Sequence, residues 1–347
     1  MFDKRKNFKK KVIQTVGLCL ALFFYLQYVQ LVEIIHAFMD SSHSCSMVKR
    51  RNEDLSIIHY HNRSKALTFD LANIQFINIG KPCPPDQQIF LTVCIISSPE
   101  NGDSRDVIRK TWASNSMNNK IHYIFIVGKS ATTSISLQIA EESKRENDIV
   151  FIDYEETYRN LTYKSVAILK WSSIFCAESK YIVKIDDDIF VDIPALFNIL
   201  LNITYPKVIV GHVIRGAVPI RRFKSKFFVD TKDYYRDIYP DYITGLCYAI
   251  STDLLQGMLD AANTCHILPI EDMYVTGILG YQAGARFVGN CGFTYTYISV
   301  DGWSRNHLVI MAHKYIPSQV QAIWDMRQSL FPKTTSWITY LSHLLIA

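Results

Sequence analysis

Three adjacent carboxylates, Asp186, Asp187 and Asp188, close a short apolar run, Tyr181-Ile182-Val183-Lys184-Ile185. Such a run of β-branched and aromatic residues reads as a buried strand. Side chains alternate along an extended chain, so Asp186 and Asp188 share one side and Asp187 takes the other. Three anions at this spacing repel one another, and they take up protons unless a cation holds them charged. Hard oxygen ligands select Mn²⁺ or Mg²⁺ over Zn²⁺. A solvated acidic turn or a calcium loop is the plainer alternative. In open α/β sheets, ligands gather beyond the carboxyl ends of the strands, where this triplet would lie.

A second acidic pair, Glu271-Asp272, opens a helical stretch beginning Pro269-Ile270. The helix dipole favours negative charge there, so charge complementation and general-base chemistry both account for the pair. Arg105 and Arg109 stand at helical spacing within Arg105-Asp106-Val107-Ile108-Arg109-Lys110-Thr111-Trp112. They form a basic face that would meet phosphate or pair with surface acids. His313 follows a late apolar run, and a surface histidine is the default reading. No GxGxxG follows the first strand and no GxxxxGK[ST] occurs, which disfavours a dinucleotide dehydrogenase and a P-loop enzyme.

The elements that must position these residues alternate in type. Strands are expected at Ile89–Ile96, Ile121–Val127 and Ile149–Ile152, with helices beginning at Ser104 and spanning Ser134–Glu146 and Leu161–Glu178. That alternation predicts βαβ units, hence an α/β fold with a mainly parallel central sheet in one Rossmann-like domain. Farther on, the pattern predicts a strand over Lys207–His212, an aromatic loop over Tyr234–Tyr242 and a helix Asp253–Ala262 capped by Ser251. Late strands Tyr295–Ser299 and Leu308–Ala312 and a final helix from Pro317 through Leu330 complete the reading.

The net charge of +5 is confined to the amino terminus. Lys4, Arg5, Lys6, Lys9, Lys10 and Lys11 stand there against Asp3 alone, and without those residues bases and acids balance at 31 each. A nucleic-acid partner therefore has no electrostatic support. Residues 12–32 carry no charge and are long enough to cross a bilayer as one helix. With the basic end cytoplasmic, this predicts a cytoplasmic tail (1–11), a transmembrane signal anchor (12–32), a lumenal stem (33–88) and a catalytic domain (89–347). The apolar tail from Trp337 to Ala347 is too short to span and is expected to dock on the domain. Asn62, Asn160 and Asn202 head glycosylation sequons. Seven cysteines follow the anchor without a CxxC pair, so disulfides are expected, a zinc ribbon is not, and at least one thiol stays free or pairs between chains.

In order along the chain, Arg105–Trp112, Tyr158-Arg159-Asn160-Leu161-Thr162-Tyr163-Lys164, Lys184–Val191, Tyr239-Pro240-Asp241-Tyr242-Ile243-Thr244-Gly245 and Glu271-Asp272-Met273-Tyr274 resemble the β-1,3-galactosyltransferase family. That family includes β-1,3-N-acetylglucosaminyltransferases and is related to the Fringe enzymes. The resemblance spans roughly residues 90 to 330, about the size of one enzyme domain. It implies a GT-A fold, a UDP-sugar donor, Mn²⁺ (or Mg²⁺) dependence, inversion at the anomeric carbon, and single-pass type II residence in the Golgi. The implied acceptor is a glycan on a glycoprotein or glycolipid. Carried onto this chain, the resemblance makes Asp188 the principal metal ligand, with Asp186 and His313 completing the site, and Asp272 the catalytic base. It places Asp186 at the nucleotide ribose or, through water, at the metal and the loop around Gly245 at the donor sugar; Arg105 and Arg109, as bases able to meet phosphate where no glycine-rich phosphate loop occurs, and Lys184, Asp187 and Glu271 are further donor-binding candidates. Cys247 stands where the family often has glycine, and Met273 where valine is usual. Two other readings are a catalytically silent lumenal protein using the fold for binding or assembly, and a glycoside hydrolase, which needs two opposed carboxylates and no metal.

Overall fold

The structure, a computed structural model, describes residues 67–330 apart from 115, 116, 118 and 307. Its frame is an eight-stranded sheet: β1 (Phe76–Ile79), β2 (Leu91–Ile96), β3 (Ile121–Lys129), β4 (Ile149–Glu155), β5 (Tyr181–Asp186), β7 (Val208–Ile214), β8 (Tyr242–Ser251) and β9 (Arg286–Gly289). β6 (Phe190–Val191) and β10 (Met311–Ala312) form a separate antiparallel pair. The order across the large sheet is β1-β4-β3-β2-β5-β8-β7-β9. It is parallel from β4 through β5 and between β7 and β9, and antiparallel where β1 joins β4 and where β8 joins β5 and β7.

The crossovers follow from amphipathic helices that each need a sheet face. α1 (Gly102–Lys110), α2 (Thr133–Glu146) and α3 (Leu161–Phe175) link β2 to β3, β3 to β4 and β4 to β5. α4 (Ile193–Leu201), α5 (Leu255–Ala262) and α6 (Pro317–Leu330) complete the longer helices. With helices on both faces the central strands are buried on both sides, as β2 is throughout. Alternate residues feed two cores: Cys94, Ile96, Ile124 and Ile182 pack with Trp171, while Val93, Ile95, Phe125 and Val183 pack with Trp112 and Trp303.

Succession runs outward from β2 through β3 to β4, then returns to β5 on the other side of β2. The order of succession therefore reverses between the parallel strands β2 and β5, the position at which open α/β sheets place a ligand crevice beyond the carboxyl ends. The ladder pairs Ile96 with Asp186 at that end, so the acidic triplet emerges at the reversal.

Several expectations are corrected. The sheet reaches into residues expected to be stem, because β1 pairs with β4 and Phe69 is buried. Cys83, in the same stretch, is disulfide-bonded to Cys176 at the end of α3. Residues 295–299 are not a strand, and the late strand shrinks to Met311–Ala312. Ser251 does not cap a helix: its hydroxyl accepts from Val208 N and donates to Asp253. The segment opening at Asp272 is wound as a π-helix over Met273–Leu279, a winding often found at functional sites. The expected anchor (12–32), the tail from Trp337 and the Asn62 sequon lie outside the described residues. Among the described residues, no helix is long and apolar enough to cross a membrane.

Candidate active site

Three segments converge at that reversal of order: the loop after β2, the end of β5 with its triplet, and the start of β8 against the π segment. β8 runs antiparallel to β5, pairing Ile185 with Cys247 and Lys184 with Tyr248, so Gly245 comes opposite the triplet. Lys184 links them. Its ammonium donates to Asp186 Oδ1 and to the carbonyl of Gly245, and stands 3.9 Å from Glu271 Oε2. Burial alone would lower its pKa, but Asp186 and Glu271 outweigh burial and hold it raised.

Asp272 lies across from the triplet. Its Oδ2 accepts from Gly245 N and its Oδ1 from Met273 N, both at 2.9 Å. Burial raises its carboxyl pKa above the ordinary aspartate value, and those two backbone donors oppose the shift only in part. A carboxylate oxygen that accepts one N–H keeps a further lone pair for a proton. The approach of Gly245 to the acidic pair is close. A Cβ there would stand 2.9 Å from Glu271 Oε2 and 3.2 Å from Asp272 Cβ, so only glycine fits without displacement.

β5 ends at Asp186 and a turn follows at Asp187 and Asp188, so strand alternation stops short of Asp188 while Asp186 and Asp187 take different partners. Asp186 turns toward Lys184, and burial, with Asp188 and Glu271 adding to it, pushes its pKa up to about 6 against the pull of Lys184. Asp187 turns toward the loop after β2, where Asn101 Nδ2 donates to Oδ2 at 2.9 Å. The Asp188 side chain makes no hydrogen bond or ion pair among the described residues, while its carbonyl accepts from Tyr315 N at 3.0 Å. His313 is buried, with Nε2 2.7 Å from the carbonyl of Tyr295. If Nε2 carries the proton, Nδ1 keeps its lone pair, the usual arrangement of a metal-binding histidine. An unpaired carboxylate, a neighbouring carboxyl of raised pKa and a backbone-oriented imidazole fit a hard divalent cation as a donor set. In this geometry the three are not drawn together. Among the described residues, the trio of ligand atoms within 4.8 Å of one another is Cys83, His122 and Cys176, two of which form a disulfide.

Of the residues expected at the donor, Arg105, Lys184 and Glu271 are buried and Arg109 is partly buried, each engaged with protein partners. Arg105 is 1% exposed, and its guanidinium donates to Glu142, Ser97 Oγ and the carbonyls of Ser98 and Pro99. Arg109 is paired with Asp148, Glu142 and Asp106 and lies over the Phe125 ring. All five N–H donors of Arg105 are used, whereas Arg109 spends four of its five on these acids. Lys184 is spent on Asp186 and Gly245, and buried Glu271 accepts from Tyr248 Oη at 2.8 Å. Cys247 is buried in the core and unbridged, so it neither lines a pocket nor forms a disulfide.

Some bracing residues were not singled out from sequence. Lys164, wholly buried in α3, donates to Ser97 O at 2.9 Å and pairs with Glu156. With Arg105 it holds the loop after β2 from below, and that loop supplies Asn101 to Asp187. A lysine within the apolar stretch of α3 was the available signal.

The chain matches the model of the galactosyltransferase family over residues 103–289. It is 31% identical over 253 residues to beta-1,3-galactosyltransferase 1 of Mus musculus, covering 71% of this chain and 77% of that one. It is 30% identical over 264 residues to lactosylceramide 1,3-N-acetyl-beta-D-glucosaminyltransferase A of Xenopus laevis, covering 67% and 70%. With beta-1,3-galactosyltransferase 9 of Homo sapiens it shares 29% over 245 residues, covering 68% and 64%.

Proposed function

The chain belongs to the galactosyltransferase family, and from that premise we propose that it moves a hexose or N-acetylhexosamine from a UDP-sugar to the 3-hydroxyl of an acceptor glycan, with inversion. The names of the relatives support the β-1,3 linkage. The strand order around β2 and β5 supports the GT-A arrangement that the sequence resemblance implies. One observation carries the reading. Gly245 is hydrogen-bonded to Asp272 on one side and to Lys184 on the other, and Lys184 holds Asp186, so a carboxyl of raised pKa and the acidic triplet share one site.

The chemistry follows from where charge and protons must go. An acceptor hydroxyl is a poor nucleophile near neutral pH, so a positioned base must take its proton as it attacks. Asp272 suits that role: burial raises its basicity, and Gly245 N and Met273 N fix its orientation. Displacement in one step needs no enzyme nucleophile, so a single base suffices. Asp188, with Asp186 and His313, would hold Mn²⁺ or Mg²⁺, which when bound supplies Lewis-acid stabilisation of the departing diphosphate. Lys184 opposes the burial that raises the Asp186 pKa, and Gly245 lets the backbone of β8 approach Glu271 and Asp272 closely. The basic start and the uncharged stretch 12–32 support a single-pass type II protein of the Golgi with this site in the lumen.

The test is UDP release by the protein with UDP-galactose, UDP-N-acetylglucosamine, UDP-N-acetylgalactosamine and UDP-glucose, against galactose- and N-acetylhexosamine-terminated acceptors. Proton couplings of the product report linkage and anomer. Asp272→Asn is expected to lower transfer by roughly two to four orders of magnitude while UDP affinity holds, the scale of a lost general base. Turnover of that variant at the parent rate would remove Asp272 from the chemistry. EDTA is expected to abolish transfer, and activity that survives it would remove the dication.

A further inference from the structure

Two glycosylation sequons fall within the described residues, at opposite poles of the sheet. Asn202-Ile203-Thr204 follows α4 and leads into β7. Val208 pairs with Arg286, the first residue of β9, and its N–H donates to Ser251, which pairs with Tyr181 at the start of β5. The turn therefore lies at the entrance of β5, whereas the acidic triplet lies at its exit. β5 has six residues, so at about 3.3 Å per residue its two ends stand about 17 Å apart. Asn160-Leu161-Thr162 opens α3, at the exit end of β4.

At the first sequon both polar side chains face solvent: Asn202 and Thr204 are exposed. Asn202 Nδ2 donates to the Asn198 carbonyl at 2.8 Å. A glycosylated amide keeps one of its two N–H groups, so that bond survives modification. On either side, Leu201 is 58% and Tyr205 44% exposed. A bulky, hydrophilic chain rooted between them would screen this apolar pair from neighbouring molecules.

The second sequon is built into the frame. Asn160 Nδ2 donates to Glu155 O at 2.9 Å. Thr162, wholly buried, donates to the carbonyl of Leu268 at 2.8 Å, three residues before Glu271. Glu156, in the same turn, pairs with Lys164 and accepts from Gly128 N. A branched oligosaccharide on Asn160 would therefore grow from a turn tied both to the brace beneath the loop after β2 and to the segment that presents Asp272. Oligosaccharide transfer takes place on the chain as it enters the lumen, before it folds. What the fold decides is whether the glycosylated chain can close, and the Asn202 turn allows that where the Asn160 turn does not.

We propose that Asn202 carries an N-glycan, that Asn160 stays bare in the folded protein, and that the glycan screens Leu201 and Tyr205 at the pole away from the site. The co-substrate is a lipid-linked oligosaccharyl diphosphate. Nδ2 forms a bond to its anomeric carbon, the bond from that carbon to the diphosphate oxygen breaks, the lipid diphosphate leaves with the electron pair, and one amide proton is released. The modification rests on the lumenal placement of the domain, and on neither Asp272 nor a dication.

The full chain is expressed in a eukaryotic secretory host and treated with a peptide N-glycanase in heavy-oxygen water, which turns each glycan-bearing asparagine into labelled aspartate. Peptide mass spectrometry is expected to find the label at position 202 and plain asparagine at 160. Label at 160 in folded protein, or none at 202, overturns the proposal. Protease treatment of sealed microsomes reports sidedness separately. A protected domain with bare Asn202 overturns the glycan alone, and a domain cut from the cytosolic side overturns the lumenal reading with it. Tyr205→Trp reads the screening. Its acrylamide quenching, after subtraction of the parent signal, is expected to rise when Thr204→Ala removes the sequon from the same chain, and equal quenching overturns the screening. Loss of transfer in Asp272→Asn moves none of these readouts, so failure of the glycan and failure of the enzymatic reading are distinguishable.

Discussion

At the scale of single residues, the site is a balance of buried charges around Gly245. The carboxyl of Asp272 is raised by burial, so its protonated form persists above the ordinary aspartate value of 3.8. A general base works only when deprotonated, so transfer is expected to rise with pH along a limb displaced above that value. The pH profile of kcat measures it, and an acid limb at or below the ordinary carboxylate range would contradict the assignment. The sign for stability is the reverse. A carboxyl whose folded pKa is raised stabilises the fold while protonated, and that contribution fades as pH climbs through the folded pKa. Gly245→Ala tests the steric side. A methyl there meets Glu271 Oε2 and Asp272 Cβ, so a loss of about 1–3 kcal/mol in stability is expected, the range for inserting a methyl into packed surroundings, with transfer lost beyond it. Denaturant titration and kcat, measured side by side, separate the two effects.

At the scale of elements, what could be read from sequence divides by range. β2, β3, β4 and β5 and the helices between them are legible because each carries its own periodicity, and the triplet is legible because three acids end an apolar run. β8 was hidden because Thr244, Gly245 and Cys247 interrupt its alternation, and without β8 the contact of Gly245 with Asp272 had no visible cause. The π winding after Asp272 escaped because an apolar stretch reads alike for either helix. Arg105 and Arg109 misled because helical spacing shows which residues share a face, and not whether that face looks outward. Their acids, Glu142 and Asp148, come from α2 and the turn after it. Burial works against the Glu142 carboxyl, yet Arg105 and Arg109 hold it below its ordinary pKa. Arg105→Met would strand Glu142 beside a single partner and release Ser97 and Ser98, so a destabilisation of about 3–5 kcal/mol is expected, the cost of breaking a buried pair. Changing Glu142 to Gln in the same chain should return part of that loss. If urea denaturation finds the two changes additive, the clamp beneath the loop after β2 is not a coupled unit.

At the scale of the whole molecule, the site exists because one sheet brings distant stretches of chain to one end, and its precision depends on what holds that sheet's edges in register. Asp186, Gly245 and Asp272 are joined by strands whose pairing is mostly non-local, which costs loop-closure entropy before any contact repays it. The Cys83–Cys176 disulfide acts on that cost. It ties the segment leading into β2 to the end of α3, just before β5, and closes a loop with a sequence separation of 93. β2 and β5 are the two strands between which the order of succession reverses, so the bridge secures the entrances of the strands whose exits frame the site. In the chain-entropy account such a loop restrains the unfolded ensemble, and a loss of about 2–4 kcal/mol is the usual consequence of removing the link. Cys83→Ser/Cys176→Ser is therefore expected to lower the unfolding free energy by that much while leaving kcat near the parent value at low temperature, because no site residue touches either sulfur. A fall in kcat without a fall in stability would mean that the bridge shapes the site directly, and the sheet would then be less rigid between β2 and β5 than its buried pairing implies.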